Sequence, residues 1–337
     1  MEHAPVKYSS QPVAPGDLTR LTEFANRYSH RWTGRDIIAE ESLRTMLTTP
    51  GLDLATSARQ VLDSSGAVVA AAIVFHRDPH VTVHAWGLVD PAHQRRGIGR
   101  SIHGFILTRA GQAATRAPAE ARVVVHQQTF NGDAAAETFL FQAGYEETRH
   151  YWRMLIDFDG PPVAPQWADG IAIDACDPER ELEAIVRASR DAFQDHYGFA
   201  AGSIEAELER ARHRVESDPD FDPSLWFLAK DGSGIAGLCF CSPNAAGDET
   251  TGYVQTLAVR PAWRRRGLGR ALLLHAFAEL HRRGKHRVAL HVDAQSITGA
   301  TRLYESVGMH VDELSHEHEL EIRPGIDLTV RSPRNPV

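Results

Sequence analysis

The sequence predicts two domains of the same α/β class, each with a mixed sheet and helices on its faces. The first observation is length, because 337 residues correspond to two domains of about 150 residues each. The second is an internal repeat, since residues 87–100 and 257–270 agree at eight of 14 positions. One repeat over half the chain indicates a duplicated domain, because solenoids repeat about every 20–50 residues.

A proline-rich segment marks the boundary between the halves. Residues 159–170 contain three prolines and two glycines, which disfavour a helix or a central strand. The sequence therefore predicts an N-terminal domain over 1–160, a linker over 161–169, a C-terminal domain over 170–330 and a frayed tail over 331–337.

Apolar periodicity assigns the elements of both halves in the same order. In the first half we predict strands over 60–63, 68–75 and 81–89, a helix over 97–114, a strand over 122–126, a helix over 134–143 and a strand over 151–158. In the second half we predict a strand over 171–175, helices over 181–193 and 204–215, strands over 225–229, 235–241 and 253–259, a helix over 267–283, a strand over 288–292, a helix over 298–307 and a strand over 316–322. This order is typical of an α+β or α/β domain, here present twice.

Turn residues and spacing justify the clearest of these elements. Residues 64–66 and 230–234 carry the serines and glycines of hairpin turns between strands. In the helix over 267–283, apolar residues recur every four positions from Leu268 to Leu280, and Gly284 marks its end. The last strand, over 316–322, alternates polar and apolar residues as a half-buried strand does.

Composition excludes several classes of protein. The net charge of −8 argues against a general nucleic-acid-binding surface. The longest apolar run, over 66–75, is far shorter than the roughly 20 residues that span a bilayer. Three cysteines (Cys176, Cys239 and Cys241) are too few for a disulfide framework or a zinc site. We expect a cytoplasmic protein with no metal and no membrane or nucleic-acid partner, either a monomer or a homodimer.

The repeated unit consists of a strand, a proline and the residues Arg-Arg-Gly-x-Gly-Arg at the start of a helix. Glycine lets the backbone approach a ligand closely, and the first turn of a helix offers free N–H groups and the positive end of its dipole. A lone copy would be interpreted as a solvated turn, but two copies in the same context favour a loop that binds a pyrophosphate. The sequence lacks the Gly-Lys-Ser/Thr of a Walker loop and the third glycine of the dinucleotide fingerprint.

Gln94-Arg-Arg-Gly-Ile-Gly99 and Arg264-Arg-Arg-Gly-Leu-Gly269 resemble the Q/R-x-x-G-x-G/A signature of the GNAT acyl-CoA-dependent N-acetyltransferase superfamily. The segment from Gly299 to Met309 resembles the A-x-x-x-Y-x-x-x-G-F pattern that follows the family's fifth strand. The resemblance implies two tandem GNAT domains, similar in architecture to mycothiol synthases and other actinobacterial tandem GNAT proteins. It also implies acetyl-CoA as the acetyl donor.

The resemblance implies roles for individual residues. The strand before the loop pairs with the pantetheine arm, the loop holds the pyrophosphate, and Tyr304 protonates the leaving thiolate. In the second half the implied cofactor positions are Leu257, Ala258, Val259, Arg264, Arg265, Arg266, Gly267, Leu268, Gly269 and Arg270. In the first half they are Leu88, Val89, Arg95, Arg96, Gly97, Ile98, Gly99 and Arg100.

The two halves differ at the position of the acid. Aligning Gly144 with Gly308 places Leu140 opposite Tyr304, so the first half lacks a phenol there. We expect the first domain to bind acetyl-CoA but to be catalytically weak or inactive. The second half also departs from the family, because the asparagine often found before the alanine is replaced by residue 297 or 298, depending on the alignment.

The general base stays open at this stage. His291 and Asp293, on or after the fifth strand, are candidates, as are Asp195 and His196, and so is a chain of water molecules. Asp195 and His196 lie between the first two helices of the second half, where enzymes of this family bind the acceptor. Together with Tyr253 and His291, they are our candidate substrate contacts.

Three functions remain, and the first is favoured. It is acetyl transfer to the amine of a small molecule. The second is a non-catalytic acyl-CoA-binding sensor, and the third is a protein or peptide N-acetyltransferase, in which the acidic residues between 205 and 222 would attract a cationic amine. A solvated helix face is the simpler interpretation of those acidic residues.

Overall fold

The structure is a computed structural model that describes residues 7–296 and 299–331. The elements of the first half are β1 (Ser9–Pro12), α1 (Leu18–Thr33), α2 (Glu40–Leu47), α3 (Leu54–Ser57), β2 (Ala58–Leu62), β3 (Val68–His76), β4 (Thr82–Val89), α4 (Ile98–Ala114), β5 (Val123–Phe130), α5 (Ala134–Gln142) and β6 (Glu146–Asp157). Those of the second half are β7 (Ala172–Ala175), α6 (Pro178–Phe193), α7 (Ile204–Ser217), β8 (Trp226–Asp231), β9 (Gly234–Ser242), β10 (Thr251–Val259), α8 (Leu268–Arg282), β11 (Arg287–Asp293), α9 (Ala300–Ser306) and β12 (His310–Arg323).

The chain forms two compact units that alternate along the sequence. Within the described residues, unit 1 contains 7–148 and 315–328, and unit 2 contains 149–296, 299–314 and 329–331. The strand order in unit 1 is β1-β2-β3-β4-β5-β12, and in unit 2 it is β6-β11-β10-β9-β8-β7. In each sheet one central pair is parallel, β4–β5 or β10–β11. The predicted class, a mixed sheet with helices in each of two domains, is confirmed.

β6 and β12 each pass from one unit to the other. β6 pairs antiparallel with β11 from Tyr151 to Asp157 in unit 2. β12 pairs antiparallel with β5 from Ser315 to Arg323 in unit 1. The linear division after residue 160 therefore differs from the observed units, because the backbone ladders assign each half's last strand to the sheet of the other half. The segment over 161–169 has no helix or strand, and its Trp167 packs on the core of unit 2.

Buried charged groups fix β12 within unit 1. The His126 ring on β5 lies 2.9 Å from the Glu319 carboxylate and 3.4 Å from the Glu317 carboxylate. The Arg122 guanidinium donates to Glu319 at 2.7 Å. Burying charges is unfavourable unless each has a partner, so this network favours the register in which Glu317 and Glu319 of β12 lie beside His126 of β5.

The first helices of unit 1 were not placed individually by the sequence analysis. α1 buries Leu18, Leu21, Phe24, Ala25 and Tyr28, which recur every three or four residues as a core-facing helix requires. α1 packs on β3 and on α2, so the missed segment forms one face of the unit 1 core. None of the described helices has both the length and the apolar character needed to cross a membrane.

Candidate functional site

The parallel strands β10 and β11 open into a cleft. Their ladder covers Thr251 to Tyr253, whereas the ladder between β9 and β10 continues to Val259. A register shift between Val254 and Thr256 makes Gln255 the extra residue of a β-bulge. Bulges bend a strand and occur preferentially beside active sites. Beyond the bulge, the β11-facing edge of β10 is therefore available to hydrogen-bond a bound chain.

The bulge residue is held from two neighbouring elements. The Arg214 guanidinium on α7 donates to the Gln255 Oε1, and the Gln255 Nε2 donates to the Ser242 hydroxyl on β9. These contacts fix the side chain of the inserted residue, and with it the local path of β10.

The loop after β10 presents backbone and arginine donors together. Arg265 and Gly267 have left-handed backbone conformations, with φ of 63° and 77°. Gly267 is the N-cap of α8, and no side chain caps this helix. Arg265, Arg266 and Arg270 are exposed. First-turn N–H groups beside exposed arginines are an arrangement suited to binding a phosphate group.

At Gly269 the start of α8 packs against α9 and the end of β10 at ordinary contact distances. A Cβ at this position would lie 3.4 Å from the Leu303 Cδ2 on α9 and 3.6 Å from the Val259 Cγ2 on β10. This packing brings α9, which carries Tyr304, beside the loop and the end of β10.

Tyr304 lies in the unit 2 core with 8% of its surface exposed. Burial, together with the nearby Cys239 thiol and Tyr253 phenol, raises its pKa above the ordinary value. The hydroxyl is therefore protonated at neutral pH and can donate a proton. The Tyr253 hydroxyl lies 2.8 Å from the His291 Nδ1, so three of the predicted site residues occur in one region of unit 2.

A cavity of about 360 Å³ is lined by the segment after α6 and by residues at the end of β11. Its lining residues are Tyr151, Phe193, His196, Tyr197, Gly198, Phe199, Asp293 and Ser296. Burial lowers the pKa of His196, so its ring is neutral at pH 7 and can accept a proton. The Arg149 guanidinium lies 3.6 Å from the centre of the Tyr197 ring and 3.6 Å from the Asp293 carboxylate.

Asp195 does not line this cavity in the way that the sequence analysis expected. Its carboxylate accepts two hydrogen bonds from Arg264, one of them 2.9 Å long. The Arg264 guanidinium beside it lowers the pKa of Asp195. Arg264 also donates to the Val259 carbonyl at 3.0 Å, so its side chain faces the protein interior, unlike the exposed Arg265 and Arg266.

Comparison with known proteins identifies the family. Residues 183–309 match the sequence model of the acetyltransferase (GNAT) family. A curated mycothiol acetyltransferase from Thermobispora bispora is 32% identical over 225 residues, which cover 66% of this chain and 70% of that protein. The chain belongs to the GNAT family. The predicted class of enzyme, an N-acetyltransferase, is thereby confirmed.

Solved structures extend this GNAT assignment to the whole chain. A GCN5-related N-acetyltransferase from Sphaerobacter thermophilus is 31% identical, with a TM-score of 0.77 over 95% of this chain and 97% of that one. A tandem GNAT protein from the clavulanic acid biosynthesis pathway has a TM-score of 0.69 at 15% identity, covering 95% of this chain and 100% of that one. The second likeness concerns the fold.

Unit 1 retains the GNAT loop with the same backbone. Arg95 and Gly97 have φ of 58° and 82°, matching their counterparts in unit 2, and Gly97 is the N-cap of α4. The Arg96 guanidinium donates to the Tyr8 hydroxyl at 2.9 Å, and Arg95 and Arg100 are exposed. The remaining predicted positions are Leu88 and Val89 at the end of β4 and Ile98 and Gly99 at the start of α4.

The cleft of unit 1 differs from that of unit 2 in two respects. The Tyr145 N–H bonds to the Leu140 carbonyl, just as the Met309 N–H bonds to the Tyr304 carbonyl, so Leu140 is the structural counterpart of Tyr304. In addition, β4 pairs with β3 in continuous register from Ala70 to His76, without the bulge of β10. The second difference was not predicted, because the polar Gln255 and Thr256 within an apolar strand do not by themselves distinguish a bulge from regular pairing.

Other predicted features are placed as follows. In the acidic stretch, Glu207, Asp218 and Asp222 each lie within 4 Å of an arginine, which reduces the negative charge offered to a cationic partner. Cys239 and Cys241 are buried in the core with their sulfur atoms 3.9 Å apart. The position of the family's asparagine, residue 297 or 298, lies outside the described residues.

Proposed function

We propose that unit 2 transfers an acetyl group from acetyl-CoA to the amine of a small molecule. The observation that carries this proposal is the convergence of three features. The bulged β10 leads into the uncapped start of α8, and packing at Gly269 brings α9, with the buried Tyr304, beside both.

The chain offers groups that fit each part of acetyl-CoA. The pyrophosphate would accept hydrogen bonds from the first-turn N–H groups of α8 and from Arg265, Arg266 and Arg270. The pantetheine arm would pair with the edge of β10 at Leu257, Ala258 and Val259, as an added strand does. The Leu268 side chain is buried, so its contact with the cofactor would be made by its backbone N–H in the first turn of α8.

When bound, acetyl-CoA supplies a thioester carbonyl that an amine can attack. A backbone N–H near the bulge would stabilise the negative charge that develops on the carbonyl oxygen. As the carbon–sulfur bond breaks, Tyr304 donates its proton to the sulfur. The proton lost by the attacking amine balances that transfer, so the net products are an amide and a free thiol.

Two histidines are candidate bases, and a water chain remains an alternative. His291 is hydrogen-bonded to Tyr253, and the neutral ring of His196 lines the cavity. We infer that the cavity receives the acceptor; Tyr253 and His291, which are bonded to each other, are not among its lining residues. A base acts only when it is deprotonated, so its loss removes the rise of the rate as the pH passes through its pKa. The pH–rate profiles of His196→Gln and His291→Gln therefore identify which histidine acts.

Unit 1 fits a cofactor-binding role with weak or no catalysis. It combines the complete loop with a leucine where the acid would stand and with a regular β4. If Tyr304→Phe kept full activity while a variant of Arg96 or Gly97 lost it, the assignment of chemistry to unit 2 would be wrong.

Free-thiol release from acetyl-CoA, measured against a panel of amines, tests the proposal. Because the relative from Thermobispora bispora is named a mycothiol acetyltransferase, the unacetylated form of mycothiol is the first amine to test, followed by amino sugars and aminoglycosides. We expect at least one amine to stimulate release. Binding of acetyl-CoA without stimulation by any amine would favour the sensor function instead.

A further inference from the structure

Arg264 links two regions of unit 2 that belong to different elements. It stands at the start of the cofactor loop and binds the carbonyl of Val259, the last residue of β10, at 3.0 Å. Its Nη2 donates to the Ala192 carbonyl at 2.8 Å. Both terminal nitrogens donate to Asp195. One side chain therefore connects the loop to the end of α6.

The segment that Arg264 holds forms much of the cavity wall. Five of the eight lining residues are consecutive or nearly so, within 193–199. Ala192 immediately precedes this segment, and Asp195 lies inside it. The segment has no regular structure after Phe193. Its far end pairs through the backbone with Val330, at Gly198 and Phe199, whereas its near end, next to α6, is the part that Arg264 holds. A planar guanidinium that binds a carboxylate through two nitrogens sets both distance and orientation.

We propose that Arg264 and Asp195 are a positioning pair that couples the cofactor loop to the acceptor cavity. This inference rests on the proposed function, because it takes the loop as the cofactor site and the cavity as the acceptor site. A cofactor that orders the loop fixes the backbone of Arg264, and Arg264 then fixes the segment 193–199. By linkage, an acceptor in the cavity raises the cofactor affinity by the same factor.

Unit 1 provides an internal reference. Gln94 occupies the position of Arg264 in the repeat, and a glutamine cannot form a two-pronged ion pair with a carboxylate. The coupling is therefore a property of unit 2, the unit to which we assign the chemistry.

A second ion pair on the same elements provides a matched control. Arg260, just after β10, donates to Asp191 on α6 at 2.5 Å. The side chains of this pair are 30% and 34% exposed, against 26% and 28% for Arg264 and Asp195. Asp191 also accepts a hydrogen bond from the Gln194 Nε2 at 2.8 Å. The control is therefore Arg260→Ala, which removes this ion pair and leaves the contact between Asp191 and the segment in place.

Hydrogen exchange of the full chain, with coenzyme A as the probe, tests the pair. In the wild type we expect coenzyme A to slow exchange in peptides covering 264–270 and 193–199. In Asp195→Ala the loop stays protected, whereas the protection that coenzyme A gives to 193–199 falls at least about fivefold, the lower end of typical couplings between sites. Arg260→Ala behaves as the wild type. Asp195→Glu, which keeps the carboxylate, restores most of the effect.

The outcomes separate the two proposals. If coenzyme A leaves the peptide 264–270 unprotected in the wild type, the proposed cofactor site is wrong. If the loop is protected but 193–199 is unaffected in the wild type, or is equally protected in Asp195→Ala, the positioning pair is overturned and the proposed function stands. If Asp195→Ala speeds hydrogen exchange in β10 in the absence of ligand, the substitution has disturbed the fold, and Arg264→Lys is tested in its place. That variant keeps the charge but lacks the two-pronged donor, and the same loss of coupling is expected.

Discussion

Replacing Tyr304 by phenylalanine removes the proposed proton donor and little else. The ring stays in a core site where only 8% of the residue is exposed, so we expect the free energy of unfolding to change by less than about 1 kcal/mol. General acid catalysis typically contributes about 10²–10⁴ in rate. At about 1.4 kcal/mol per factor of ten, the variant should lose about 3–5 kcal/mol of transition-state stabilisation.

The assay is thiol release under single-turnover conditions, which reports the chemical step even where product release limits kcat. We expect the rate to fall at least about 100-fold, with the Kd of acetyl-CoA unchanged. Tyr145→Phe is the control, because Tyr145 is a buried tyrosine of unit 1 whose hydroxyl accepts from Gln127 at 2.8 Å. It should leave the rate within about twofold of the wild type, as expected of a residue outside the reacting groups.

The pH dependence gives a second readout of the same prediction. Burial raises the pKa of Tyr304 above its ordinary value, which is about 10 for a tyrosine. The acid therefore stays protonated throughout the range below pH 10, and the wild-type rate should not fall on its account as the pH rises from 7 to 9. A single-turnover rate in Tyr304→Phe within about threefold of the wild type would refute the role of the phenol.

Three further predictions concern the loop and the exchanged strand. Gly267→Ala forces a side chain into a left-handed conformation with φ of 77°, which costs about 1–2 kcal/mol, and should weaken acetyl-CoA binding in a calorimetric titration. Gly269→Ala is the control and should bind acetyl-CoA normally, because its Cβ meets ordinary contacts at 3.4 Å and 3.6 Å. Equal losses of affinity in the two variants would contradict the backbone argument. Arg266→Ala should raise the KM for acetyl-CoA about tenfold, and the increase should be smaller at high salt. A KM that changes neither with the substitution nor with the salt concentration would exclude a phosphate contact. Burial alone would lower the pKa of His126, but Glu317 and Glu319 outweigh burial and raise the pKa to about 9. The stabilisation of the folded state by the protonated His126 is therefore complete below about pH 6.5 and is lost as the pH rises toward 9. Protection factors of β5 amides should fall over that range, and constant values would show that the network contributes nothing.

The sequence predicted the loops because their requirements are local. A left-handed glycine and neighbouring arginines at a helix start are visible in six consecutive residues. It also predicted that Leu140 replaces Tyr304, since the glycine that ends each helix gives the alignment. The exchange of β6 and β12 was not predictable in this way, because two similar halves offer each last strand equivalent partners.

Asp195 shows why the details of the site required the structure. Its position between two helices suggested contact with the acceptor, and only the fold reveals that Arg264, 69 residues away, binds its carboxylate. The bulge at Gln255 is similar, because its partners Arg214 and Ser242 come from α7 and β9. Contacts between distant residues determine such positions, and local patterns carry no record of them.

The proposed division of binding and chemistry between the units follows from what each group requires. The loop needs only backbone geometry and charge, and both copies retain the left-handed arginine and glycine. Both units also leave a strand edge open before the loop, since β4 leaves β5 after Ala85 and β10 leaves β11 after Tyr253. Proton donation needs a hydroxyl, and unit 2 has the buried Tyr304 where unit 1 has Leu140. Replacing that hydroxyl does not disturb a loop that folds locally, so a duplicated domain can keep a phosphate site without the proposed acid. The ion pair between Arg264 and Asp195 occurs in unit 2, to which we assign the chemistry, and the glutamine at the equivalent position of unit 1 cannot form it.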